Sequence, residues 1–209
     1  MAIQFSKSLL DGIAPDLSSF GPSSLTSLEQ EALASKNWIV FYGMGQTIGP
    51  RFHTAMNASV LRQFFRRVSA AVESYELMRG SLIKYFDNYI LDSPRFSHYF
   101  DALNSIEICM LQLQIAAESL NKSIFEGKCD FRISGNEFRK CFALSNQLKH
   151  FGERSQNGNT SSTMPVWFLS EGVTDGVNRI RFDEVFDMVQ HLYKLGIIIL
   201  AGKPEIAEP

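Results

Sequence analysis

From Ser59 to Ile90 the apolar residues Leu61, Phe64, Phe65, Val68, Val72, Tyr75, Met78, Leu82, Phe86 and Tyr89 recur every three or four positions. That is the period of one helix face, and it predicts a long amphipathic helix. Asp92-Ser93-Pro94 breaks the pattern, with Ser93 suited to an N-cap and Pro94 to the first helical position. The spacing then resumes to about Phe125 through Phe96, Tyr99, Phe100, Leu103, Ile106, Met110, Leu113, Ala117, Leu120 and Ile124. Two such stripes joined by a tight break predict a long antiparallel helical hairpin, which Gly127 closes.

The flanking segments are shorter and less regular. Ser24 to about Ile48 reads as a first long helix, with Leu25, Leu28, Ala32, Ile39 and Tyr42 in partial helical spacing. Its second half, Trp38 to Tyr42, also has the composition of a strand, and Gly49-Pro50 ends it. Ser134-Gly-Asn-Glu137 matches a capping box and opens a further helix to about Glu153. After a polar linker, Val166–Leu169 and Arg179–Phe182 flank a loop holding Asp175-Gly176 and predict a small β-hairpin. Asp183 is placed to cap a last helix that turns Phe186, Val189, Tyr193, Ile197 and Leu200 inward. The expected fold is mainly α: the long antiparallel hairpin plus shorter helices, with a small β-hairpin before the last one. Residues 1–24, ending in the turn-rich Gly21-Pro22-Ser23-Ser24, read as an N-terminal arm, 25–203 as a single helical domain and 204–209 as a tail.

Composition narrows the classes of function. With 209 residues and 45% hydrophobic residues the chain can bury a sizeable core. A net charge of -2 provides no global field for nucleic acid or anionic membrane, so such a contact has to come from a local patch. Cys109, Cys129 and Cys141 form neither a disulfide framework nor a metal knuckle; Cys109 and Cys141 are expected as buried helical thiols. The start of the chain lacks the pattern of a signal peptide, and the apolar run Leu195–Gly202 is too short to span a bilayer. A cytoplasmic protein without membrane contact is expected. His53, His98 and His191 have no second ligand at metal spacing, so neither metal nor cofactor is expected. Gly43-Met-Gly45-Gln-Thr-Ile-Gly49 imitates a dinucleotide loop but has the wrong glycine spacing and no following βαβ unit. Arg62, Arg66 and Arg67, near Arg51 and His53, form the one basic concentration, a candidate phosphate-contacting patch or a solvated helix face.

The fourth predicted helix carries the chemistry. Phe138, Cys141, Phe142, Leu144, Ser145, Leu148 and Phe151 share a broad apolar arc; Arg139, Asn146, Gln147, His150 and Arg154 gather opposite, and Lys149 falls within the apolar side. Asn, His and Arg at one helix end could hold a phosphate or move a proton. On a solvated face, His150 and Arg154 would equally suit the negative helix C-terminus.

Leu144-Ser-Asn-Gln-Leu-Lys-His150 resembles the helix motif of the HEPN superfamily, and the order of a long helical hairpin, a motif helix and a final helix over residues 58–200 is similar to that family too. The resemblance implies a helical bundle that works as a homodimer or with a protein partner, with RNA a possible target, in settings such as bacterial toxins or phage defence. Active members are metal-independent ribonucleases that join Arg, a polar residue and His across a dimer interface. Carried onto this chain, the polar position is Asn146, the histidine is His150, and the arginine position is held by Ser145. Arg154, one turn beyond His150, is the nearer substitute; Arg139 shares the face about 16 Å away along the axis. Two expectations follow: a dimerising or partner-binding module, or an RNA endonuclease built on His150, Asn146 and Arg154.

Overall fold

The structure is a computed structural model and describes residues 25–48, 55–89, 96–124, 136–156, 166–169 and 171–201, with the side chains at 44–48, 55–57, 87–89, 96, 136–137 and 151–156 left aside. Its centre is α3 (Ala55–Tyr89) packed against α4 (Phe96–Ser123), numbered after α1 (Glu29–Ser35) and α2 (Trp38–Ile48). The predicted stripes are what these helices bury. Leu61, Phe64, Phe65, Val68, Val72, Tyr75, Met78 and Leu82 of α3 meet Tyr99, Leu103, Ile106, Met110, Leu113, Ala117 and Leu120 of α4 in one core. Each such side chain withdrawn from water contributes on the order of 1.5–3 kcal/mol. Phe100, expected inside, faces outward at 42% exposure. The capping residues Ser93 and Pro94 lie outside the described residues.

The chain before α3 differs from expectation. One long helix is replaced by two, because Lys36 and Asn37 form a turn between α1 and α2. Tertiary contacts fix this path along α3. Tyr75 donates to the Thr26 carbonyl at 3.1 Å and Arg79 to the Leu25 carbonyl at 3.1 Å, while Glu76 accepts from the Leu28 amide. Ser35 then reaches Ser69 at 3.1 Å, and Trp38 and Tyr42 stack on Phe65 with ring centroids 5.8 and 4.9 Å apart. The partners run from 79 down to 65, so residues 25–42 descend α3 antiparallel to it. Trp38–Tyr42, whose composition also suits a strand, is helical.

Helix α5 (Asn136–Gln156) is tied to α4 twice: the Cys141 thiol lies 3.6 Å from the Met110 carbonyl, and Lys149 donates to Gln114 at 3.0 Å. Lys149 therefore crosses the apolar side to reach a polar group on α4, which explains the one charge on that arc. Ser134 of the predicted capping box lies outside the described residues.

The β region is a three-stranded antiparallel sheet rather than a single hairpin. Strand β2 (Gly172–Thr174) lies between β1 (Trp167–Leu169) and β3 (Arg179–Arg181), so the two segments expected to pair are separated by it. Three residues opening on a glycine give too little pattern to announce a strand. That glycine is required: a Cβ on Gly172 would sit 2.0 Å from the Ile180 carbonyl oxygen. The β2–β3 turn is closed by Asp175, which accepts from the Val177 and Asn178 amides at 2.9 and 2.6 Å, with Gly176 at φ +90°. Phe168 of β1 carries the sheet onto the core, between Tyr99 and Phe182 at 5.5 and 5.9 Å.

Helix α6 (Phe182–Leu200) starts one residue before the expected cap. Arg181 is the N-cap residue, and Glu184 accepts its amide at 2.7 Å, while Asp183 sits inside the first turn. The buried stripe is Val185, Met188, Val189, Leu192, Leu195, Gly196 and Ile199, so Ile197, expected inward, is 46% exposed. Gly196 lets α6 close on α2: a Cβ there would lie 2.5 Å from the Trp38 ring. Gly196→Ala is therefore expected to lower stability by about 1–3 kcal/mol through overpacking, measured by chemical denaturation. Gly80→Ala, in the interior of α3 with nothing within 4 Å of the new Cβ, is expected to raise it by up to about 1 kcal/mol.

Candidate functional site

Helix α5 places its candidate residues by phase. Its inner face is anchored by Phe138, Cys141, Phe142 and Leu144, with Ser145 wholly buried among them. Residues seven and eleven positions apart return to nearly the same direction on a helix. Arg139, Asn146 and His150 accordingly form one exposed row along the outer face. Asn146 and His150 are neighbours, one turn apart. Arg154 belongs to α5, but its side chain lies outside the described ones.

The arginine position of the resembled motif is where geometry and motif part. Five residues turn a helix by roughly 140° net, so positions 145 and 150 cannot share one face. Ser145 points into the core at 0% exposure, and His150 points to solvent. Burial pushes the Cys141 thiol up to about 12, and the Ser145 hydroxyl below it softens that rise without forming a well-shaped hydrogen bond. An arginine at 145 would bury a guanidinium between α5 and α4, at a cost of several kcal/mol unless paired. The docking of this helix therefore leaves room at 145 for a small side chain only. A second wholly buried thiol, Cys109 on α4, is likewise pushed up by burial.

The basic concentration divides as well. Arg62 and Arg66 are exposed on α3. Arg67 is half-buried and donates to Gln112 on α4 at 2.9 Å, so its charge stitches the hairpin together. Gln112 faces α3 while Gln114 faces Lys149 of α5. Two residues apart means roughly opposite sides of a helix, so α3 and α5 flank α4. Arg62 and Arg66 belong to α3 and Asn146 and His150 to α5, with α4 between these two helices. Arg51 and His53 lie outside the described residues. Arg62 instead neighbours Tyr42, where its charge opposes the upward push of burial on the phenol. Arg139, Asn146 and His150 can offer hydrogen bonds to an anion, but a solvated helix face alone does not exclude water, as electrostatic catalysis requires. The glycines at 43 and 45 lie within α2, so there is no loop there to cradle a phosphate.

A different surface, carrying no motif, lies on α2. Trp38 and Tyr42 use one side of α2 for packing, yet the intervening Ile39, Val40 and Phe41 are also apolar, at 42, 58 and 57% exposure. Leu33 on α1 is exposed at 62%. A helix apolar all round is normally covered all round. The signal lay in the unbroken run Trp38-Ile-Val-Phe-Tyr42, read only as a choice between helix and strand.

Among the described residues no helix is long and apolar enough to cross a membrane. Within the same set, no group of three or more His, Cys, Asp or Glu could hold a metal ion. His191 has its Nε2 buried without a hydrogen-bond partner, beside the Phe138 ring at 6.5 Å. Burial, assisted by Lys194, holds it below the usual histidine value. Folding thus favours neutral His191, whose stabilising share is complete above the unfolded value and is lost as pH falls through the lower folded one. Stability is expected to fall as pH drops below the ordinary histidine value. His191→Leu should flatten that dependence in denaturation midpoints taken across the range.

Comparison with family models, curated proteins and solved structures finds no match to this chain.

Proposed function

We propose that this chain is a non-catalytic, HEPN-like helical module that pairs with a protein surface, in the first place a second copy of itself. The observation that carries the reading is the outer face of α2, where Ile39, Val40 and Phe41 stand exposed beside one another. Large apolar side chains left exposed within one helix turn are a feature of interaction surfaces. The burial of Ser145 supports the same reading from the other side, because it leaves the motif helix without its arginine. A bacterial toxin or phage-defence setting comes from the motif resemblance alone.

Sedimentation velocity over a concentration series tests this. Val40→Asp combined with Phe41→Asp should raise the concentration for self-association by at least about tenfold, equivalent to about 1.4 kcal/mol. Far-UV circular dichroism should stay unchanged, since both positions point outward. Association equal to wild type in that variant overturns the reading.

A second reading is favoured by the exposed row of Arg139, Asn146 and His150. Here the chain is a metal-independent RNA endonuclease in which His150 and Asn146 act with Arg154 or with an arginine from a partner protomer. His150→Ala should then abolish cleavage of a structured RNA in the presence of a chelator. Equal cleavage by wild type and variant ends this alternative.

A further inference from the structure

The course of residues 25–38 along α3 fixes what lies beyond it. Leu25 meets Arg79, Leu28 meets Glu76, Ser35 meets Ser69 and Trp38 meets Phe65. Each step forward is matched by a nearly equal step back along α3, and the same register carried on sets Tyr42 and Gly43 level with Arg62 and Leu61. Tyr42 keeps to it, with its ring on Phe65 at 4.9 Å, one turn from Arg62. Arg62 is near enough for its charge to act on the phenol.

Three features meet at this level. Arg62 and Arg66 are exposed one turn apart, and like charges at that spacing repel. Among the described residues neither has an ion pair or a hydrogen bond, whereas Arg67 ends on Gln112, Arg79 on Glu76, and Arg179 and Arg181 on Glu171. The nearest acid along their face of α3, Glu73, lies about 10 Å past Arg66 along the axis and meets Lys36. Tyr42 is 5% exposed, and its hydroxyl is buried without a hydrogen-bond partner, a state that costs stability. The next residue, Gly43, faces open space, since a Cβ there would meet nothing within 4 Å.

We propose that Arg62, Arg66 and the Tyr42 hydroxyl form a binding site for one phosphate group, free or as the monoester of a small molecule. Two guanidinium groups match the charge of a phosphate dianion and offer it forked N–H donors. The phenol adds an O–H donor that has no other partner. Arg62, exposed and without an ion pair among the described residues, is free to turn and admit the anion to this hydroxyl, which is otherwise closed to solvent. The missing side chain at 43 leaves room beside it. Binding relieves the repulsion of the arginines and pairs the hydroxyl in one step, so the ligand also stabilises the fold.

A titration of the full chain, followed by nuclear magnetic resonance at the backbone amide of Gly43, tests the site. Inorganic phosphate is the first probe and adenosine monophosphate the second, with potassium chloride holding the ionic strength constant. Arg62→Gln with Arg66→Gln should raise the dissociation constant at least about tenfold. Both positions are exposed, so this variant keeps the fold. Tyr42→Phe removes only the hydroxyl and should raise the constant about threefold or more. Without phosphate the same variant should be at least as stable as wild type, because no polar group is left buried. A constant for adenosine monophosphate below that for phosphate assigns the site to an esterified group; otherwise it belongs to free phosphate. Three results overturn the proposal: no saturable shift with either probe, the same shift from potassium chloride alone, or an unchanged constant in either variant. None of these residues enters the variant that tests pairing, so the two readings fail separately.

Discussion

The constraint on which the molecule depends is the apolar stripe of α3. Its residues from Leu61 to Leu82 are almost fully withdrawn from water, and three separate parts of the chain share the work. Helix α4 covers one flank along its length. Residues 25–42 descend another, held by Tyr75, Glu76 and Arg79 at the top and by Phe65 at the bottom. Helix α6 closes the remainder, with Phe186 near Tyr75 at 6.1 Å and Trp38 wedged between Phe65 and Tyr193. The sheet and α5 then attach through α4 and α6, by Phe168 on Tyr99 and by an ion pair of 2.6 Å between Lys140 and Glu184.

This dependence explains why some elements were legible in sequence and others were not. Helices α3 and α4 bury a face many turns long, and a face of that length imposes its 3.6-residue period on the chain. The break at Lys36-Asn37 has no such local cause. It exists because Ser35 and Trp38 must both meet α3 while Trp38 also meets Gly196, more than 150 residues later. Strand β2 was hidden for a related reason: three residues show no period, and Gly172 is there for the close approach of Ile180. The phase of α6 was misread at Ile197 because the glycine beside it, Gly196, takes the inner position against Trp38.

At the candidate site the sequence carried the faces of α5 but not their consequence. Ser145 was assigned to the apolar arc and Asn146 and His150 to the polar one, and the structure places them so. What the pattern could not reveal is that α4 lies between α5, which carries this row, and α3, which carries Arg62 and Arg66. Nor could it reveal which side of the apolar first half of α2, Trp38–Tyr42, would be left uncovered. That choice is made by Phe65, Tyr193 and Gly196, none of them near α2 in sequence.

The account's central claim is that the outer face of α2 is covered in the working protein. A fluorine label introduced at Phe41 alone reports this directly, through the shift of its resonance between light and heavy water. A Phe41 covered in the pair should show a solvent isotope shift well below that of a label at Val177, which is 91% exposed. A full shift at Phe41, equal to that at Val177 at every protein concentration, contradicts the account.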